Sequence, residues 1–197
     1  MDRFFVITGG PGSGKTSLIA ALDGIHGMPE AGRAIIREEQ AAGGSALPWK
    51  DPQAFAEKML ARDVGAWEAA CQLEGSVIFD RGIPDVAGYL QWSGLPVPAH
   101  LARAVTEYRY NRCVFLAPPW PGIFTQDAER KQSLAEAEAT CRVMREVYAG
   151  LGYELVELPL APISERAAFV RAVSPPERAI TALLLKPPCN SRAKRPP

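Results

Sequence analysis

The residues Gly9-Gly10-Pro11-Gly12-Ser13-Gly14-Lys15-Thr16 match the pattern GxxxxGK[ST] in full. Glycines at this density let a backbone wrap inward, so that successive N–H groups converge on an anion with several oxygens. Lys15 would add a mobile cation for the outer groups of a polyphosphate. The hydroxyl of Thr16 is an oxygen donor of the kind that a hard Mg²⁺ ion prefers, and Ser17, next to it on the same turn, is a further candidate contact for the nucleotide. A loop of this type belongs between a buried strand and a helix. Here FFVIT precedes it and KTSLIAAL follows it.

A second acidic residue must stand near such a metal, normally at the end of a neighbouring strand. Asp80 ends the apolar run SVIFD and would emerge at the carboxyl edge of a sheet, where open α/β folds bind their ligands. It is a candidate metal ligand with Thr16 and a candidate base in its own right; its bland alternative is a cap for the following helix. The next residue is Arg81, where motor-type ATPases commonly carry a water-polarising Glu, which disfavours plain hydrolysis. After CVFLA the chain runs into Pro118-Pro119-Trp120-Pro121 with no guanine-reading NKxD, which disfavours a GTPase switch.

These residues have to be positioned by alternating strands and helices. Strand-length apolar runs occur at Arg3 to Thr8, Ser76 to Asp80, Cys113 to Ala117 and Tyr153 to Leu158, with a further short strand near Gly27 to Pro29. They scarcely alternate, as in strands buried on both faces of a parallel sheet. Helical segments are expected at Lys15–Leu22, Ala31–Ala42, Pro52–Leu73, Pro84–Trp92, Pro98–Tyr108 and Gln132–Ala149. This order implies a three-layer α/β fold with a parallel sheet of about five strands and right-handed crossovers.

Composition bounds the function classes. The 197 residues carry 22 basic and 22 acidic side chains and are 47% apolar, so a globular protein is expected and a dedicated nucleic-acid binder is not. The four cysteines lack metal-ligand or disulfide-framework spacing, and no run is long enough to span a membrane, which points to a cytoplasmic setting. Residues 1–173 read as one domain. Residues 174–197 read as a loosely held tail, with five basic residues against one acidic and six of the 18 prolines.

Taken together, GGPGSGKT, PEAGR, FDRGIPD, VFLAPPW, DAER and LGYELVELP resemble the AAA-type P-loop ATPase family that includes ribosylnicotinamide kinase-like domains, over residues 3 to 173. The resemblance implies a kinase-like fold that binds Mg-ATP, with GTP not excluded, and a small nucleoside-like phosphate acceptor. Glu30 in PEAGR then matches the acidic residue after the second strand that accepts the acceptor's proton, its bland alternative being a favourable charge in the first turn of a helix. Arg81 would orient the acceptor. A lid near residues 121–133 would bring Arg130, with Lys131 as a weaker candidate, onto the transferred phosphate. The loop Pro159–Pro162 would meet the nucleotide base, and Trp49, Tyr89, Trp92 and Trp120 are candidates to stack on a flat acceptor. His26 and His100 carry no role, Glu38 and Glu39 read as helix surface, and Arg142 reads as exposed. The competing function is a regulatory nucleotide-binding protein with slow hydrolysis and no acceptor.

Overall fold

The computed structural model describes residues 2–124 and 133–174. Its sheet has five strands, all parallel, in the order β2-β3-β1-β4-β5. They are β1 (Phe4–Gly9), β2 (His26–Met28), β3 (Val77–Asp80), β4 (Cys113–Ala117) and β5 (Glu154–Glu157). The helices are α1 (Lys15–Ala20), α2 (Ala31–Ala42), α3 (Pro52–Ala70), α4 (Ile83–Trp92), α5 (Ala99–Glu107), α6 (Leu134–Gly150) and α7 (Ile163–Val173). The expected α/β class, parallel sheet and five strands all hold.

β1 lies at the centre because it is apolar on both faces. Phe5 and Ile7 point to one side, where Leu18 of α1 and Ala167 and Val170 of α7 complete a core. Phe4 and Val6 point to the other and meet Tyr110, Tyr148 of α6 and Tyr153. Two helical layers thus enclose the sheet, and the period of two along the strand decides which layer each side chain joins. The outer strands depart from the sequence reading. β2 and β5 close the two edges, and neither contains a fully buried residue, so burial on both faces is confined to the middle of the sheet.

Helix ends have local causes. Asp51 caps α3 by accepting the Ala54 N–H at 2.9 Å, with Pro52 supplying a first-turn φ that is already helical. The Arg3 guanidinium donates to the carbonyls of Ala70, Cys71, Leu73 and Gly75 at 2.7–3.2 Å, which stops α3 at Ala70 rather than Leu73. Ser133 and Glu136 form a capping box at the start of α6. Helix α7 has no counterpart among the segments read from sequence. Its buried face is Arg166, Ala167 and Val170, and a charged residue in that stripe hides the apolar period.

The register sets Ile7 beside Asp80 and Gly9 beside Ala117, so the carboxyl ends of β1, β3 and β4 finish at one edge. Glu30 follows β2 at that same edge, because Met28 pairs with Phe79. Among the described residues, no helix is long and apolar enough to cross a membrane.

Candidate active site

Gly9 leaves β1 with φ +132°, and a Cβ there would fall on the Ala117 carbonyl oxygen of β4. Only glycine allows the turn to start this close to the sheet. Gly14 closes the turn at φ +75° as the N-cap of α1, and no side chain caps that helix, so its first amides stay open for phosphate oxygens. Ser13 Oγ donates to the Gly10 carbonyl at 2.9 Å and stitches the two sides of the loop together. Gly12 meets the Phe124 ring and Gly14 the Ile123 side chain, so the segment leaving β4 passes back along the loop.

Lys15 is 6% exposed, and its ammonium donates to the Gly10 carbonyl at 2.8 Å and to Ser13 Oγ at 3.3 Å. Burial and the neighbouring Arg81 lower its pKa to about 8, against the pull of Asp80, Glu30 and Asp85. Thr16 Oγ1 donates to Asp80 Oδ2 at 2.6 Å, while Asp80 Oδ1 is buried with no hydrogen-bond partner. Burial raises the Asp80 carboxyl above its ordinary range, and Lys15 opposes the shift. A hydroxyl beside a carboxylate with one unanswered oxygen suits a hard divalent cation, so this pair fits Mg²⁺. Asp80 does not cap α4, whose N-cap is Gly82. Ser17 stands exposed on the first turn of α1.

The second half of the site centres on Arg81. Among the described residues it is the one non-glycine with positive φ, at 75°, a conformation that surrounding contacts must hold in place. They do so from three sides: Nε donates to Glu30 at 3.1 Å, and Nη1 donates to the Gly9 carbonyl at 3.0 Å and to Asp85 at 2.9 Å. Glu30 precedes α2, yet its carboxylate makes no capping bond. It pairs instead with Arg81 and, at 3.7 Å, with Arg33. Burial acts to raise the Glu30 pKa, but Arg81, Lys15 and Arg33 together outweigh it and hold the carboxyl below its usual range. Burial likewise opposes the Arg81 charge, and Glu30, Asp85 and Asp80 more than offset it.

Asp85 is a positioning residue that sequence reading passes over. Its Oδ1 accepts from Thr8 Oγ1 at 2.6 Å and from Arg81, and its Oδ2 accepts from Tyr148 Oη at 2.7 Å and the Gly82 N–H at 3.0 Å. Two donors on each oxygen use the carboxylate fully, so it holds Arg81 and does not itself face a ligand. Tyr148→Phe removes one charge-assisted bond from a buried acceptor and is expected to lower stability by about 1.5–3 kcal/mol. A shift in the urea midpoint with unchanged slope measures it.

Asp63 of α3 is the other residue sequence reading misses, although the signal is present. Phe55, Met59, Asp63 and Trp67 recur every fourth residue, and a carboxylate replaces an apolar residue in the stripe facing the core. It is half-buried, and burial, then Asp85 and Glu30, push its pKa up to about 8. The native pKa therefore lies above the unfolded one. Its contribution to stability is complete below about pH 4 and is lost as pH rises through 8. Asp63→Asn is expected to flatten the stability–pH curve across that window, as read by denaturation at pH 5 and pH 8.5.

The aromatic candidates occupy different elements. Trp49 is 59% exposed on the loop after α2, Trp92 sits at the end of α4, and Trp120 packs on Gly122 in the turn after β4. Tyr89 packs edge-on against Phe55. Glu39 is not helix surface: it is buried, accepts the Ala46 N–H at 2.8 Å and pairs with Lys58, whereas Glu38 is exposed and pairs with Arg62. Arg142 is exposed. Arg130, Lys131 and the tail from 175 onward lie outside the described residues.

No curated protein matches the chain by sequence. Among solved structures, deoxyadenosine kinase from M. mycoides with bound dATP superposes with a TM-score of 0.65 at 14% identity, covering 87% of this chain and 98% of that one. The same enzyme with the products dCMP and a flexible dCDP gives a TM-score of 0.56 at 13% identity, covering 86% and 97%. These likenesses establish that the chain shares the fold of that enzyme. The family model described as an AAA domain matches residues 4–166, from the first strand to the α7 arginine beneath the phosphate loop, and the chain belongs to that family.

Proposed function

We propose that the protein is a kinase that moves the γ-phosphoryl group of ATP to a hydroxyl of a small nucleoside-like acceptor. The observation that carries this reading is the fixed pair of Glu30 and Arg81 beside the phosphate loop, with Arg81 bonded at once to Glu30 and to the Gly9 carbonyl. A protein that only hydrolyses nucleotide commonly carries a water-polarising Glu directly after the metal-binding Asp, and this chain has Arg81 there, tied to Glu30.

In this reading the loop amides from Gly9, Gly10, Gly12, Ser13 and Gly14, shaped around Pro11, hold the β and γ phosphates together with Lys15. Thr16 and Asp80 would hold a magnesium ion, which would neutralise charge on the phosphate oxygens. Glu30, ionised at neutral pH because its pKa is held low, accepts the proton of the attacking hydroxyl. Asp80 is the poorer base, since Thr16 occupies one of its oxygens and burial raises its pKa. Phosphoryl transfer demands alignment more than basicity, so the geometry of Glu30 matters more than its proton affinity. Arg81 orients the acceptor, and Arg130 would add charge to the moving phosphoryl. Residues 159–162, between β5 and α7, are the proposed contact for the nucleotide base.

The test is ADP formation from Mg-ATP across a panel of nucleosides that includes adenosine, deoxyadenosine, deoxycytidine and ribosylnicotinamide, with product mass measured. Stimulation by one acceptor and a matching phosphorylated product support the kinase. Tight Mg-ATP binding with no stimulation by any acceptor would return the reading to a regulatory protein.

A further inference from the structure

A buried arginine normally faces a carboxylate, because an unanswered charge in a low-dielectric interior is costly. Arg166 of α7 does not follow that rule. It is 2% exposed and one of the largest fully buried side chains, yet among the described residues no carboxylate pairs with it. Its Nη1 donates to the Ser13 carbonyl at 3.0 Å, and its Nε is buried without a partner. Burial lowers its pKa, and no charge among the described residues opposes the shift.

The position of the contact gives this charge a use. Ser13 lies between Gly12 and Gly14, both at positive φ, in the tightest part of the loop. In a trans peptide the C=O and the following N–H point in opposite directions. A guanidinium that holds the Ser13 carbonyl on the α7 side therefore turns the Gly14 amide away from α7 and into the loop. The same guanidinium reaches within 3.0 Å of where a Gly14 Cβ would stand, so α7 seats this tightly only against glycine. It also places a full positive charge behind the amides, in a medium where screening is weak.

We propose that Arg166 is a positioning residue for the phosphate loop: it aims the Gly14 amide into the loop, and its unpaired charge is answered by the polyphosphate bound on the other side. Docking of α7 and polyphosphate binding are then linked, and each strengthens the other by the same factor. The inference goes beyond the kinase reading and requires only that the loop bind polyphosphate, so a chain without an acceptor would leave it intact.

Calorimetry with inorganic tripolyphosphate and with Mg-ATP tests it, on the full chain and on Arg166→Met, Arg166→Gln and Arg166→Lys. Arg171→Met is the control, since Arg171 is an exposed α7 arginine that also meets a backbone carbonyl, that of Ala21, at 3.3 Å. Losing a charge-assisted contact that orients a binding amide is expected to weaken both ligands about tenfold or more in Arg166→Met. Arg166→Gln, which keeps a donor but not the charge, should weaken them similarly, Arg166→Lys should recover part of the loss, and Arg171→Met should change neither. In turnover, KM for ATP should rise with kcat within about threefold. Folded Arg166→Met that binds tripolyphosphate as tightly as the unaltered chain would overturn the proposal and leave a purely structural arginine. Hydrogen exchange on the unaltered chain covers the case in which that variant does not fold. Tripolyphosphate should slow exchange of the α7 amides, and protection confined to the loop and α1 would overturn the linkage. If the unaltered chain binds neither ligand, both this proposal and the kinase reading fall.

Discussion

Lys15→Met is expected to lower kcat/KM for ATP by about 10²–10³-fold, the usual cost of removing one donor aimed at transition-state charge. The fold should survive. The ammonium is buried and, among the described residues, bonded only to Ser13 Oγ and the Gly10 carbonyl, so an apolar chain of similar length removes a desolvated charge without opening a cavity. The thermal midpoint should therefore hold or rise while activity is lost. The pKa of about 8 adds a pH signature. Phosphate oxygens favour the ammonium form, so affinity for Mg-ATP should decline as pH rises above 8, and calorimetry at pH 7 and pH 9 reads the change. Stability should move the other way. The native pKa lies below the unfolded value of 10.5, the unfolded chain binds more protons between 8 and 10.5, and Lys15 makes stability rise with pH across that interval. In Lys15→Met both dependences should disappear.

Glu30→Gln is expected to reduce kcat by about 10²–10⁴-fold, the range for losing a positioned general base, with little change in KM for ATP. The amide keeps the size and one acceptor for Arg81 but cannot take the acceptor's proton. Mg-ATP affinity is the control, and it should stay within about threefold because Glu30 is not part of the loop. An equal loss of ATP affinity would mean that Glu30 acts by shaping the loop. Retained turnover would move the base to Asp80 and reduce Glu30 to a partner of Arg81.

Both expectations rest on residues legible in the chain before its fold was known. GxxxxGK[ST] is contiguous, and its chemistry is local: a strand, a turn that only glycines can make, and a helix start. Asp80 and Arg81 were legible because they end a strand, and the sheet edge gathers strand ends. Glu30 was harder, since its place depends on β2, a three-residue edge strand with no buried residue to announce it. Asp85 escapes a sequence reading because, four residues after Arg81, it has the look of an ordinary acid in the first turn of a helix. Two of its four donors, Arg81 and the Gly82 N–H, come from the adjoining turn between β3 and α4, but the other two, Thr8 of β1 and Tyr148 of α6, are distant in sequence.

Asp63 and Arg166 mark the other boundary. Each is a charged residue on the inward stripe of a helix, where sequence periodicity asks for an apolar one, and the conflict blurs the helix instead of flagging the residue. Only packing says whether such a charge turns to solvent or inward. α3 packs against α4 and sets Asp63 near Asp85 and Glu30; α7 packs against α1 and carries Arg166 beneath Ser13. The amino-acid order was enough for what depends on neighbours within a turn or two: the phosphate cradle, the parallel α/β architecture and the acidic residue at the end of β3. Which distant charges face one another across that cradle was decided by the three layers closing on the sheet, because burial and Coulomb interaction depend on separation in space and not along the chain.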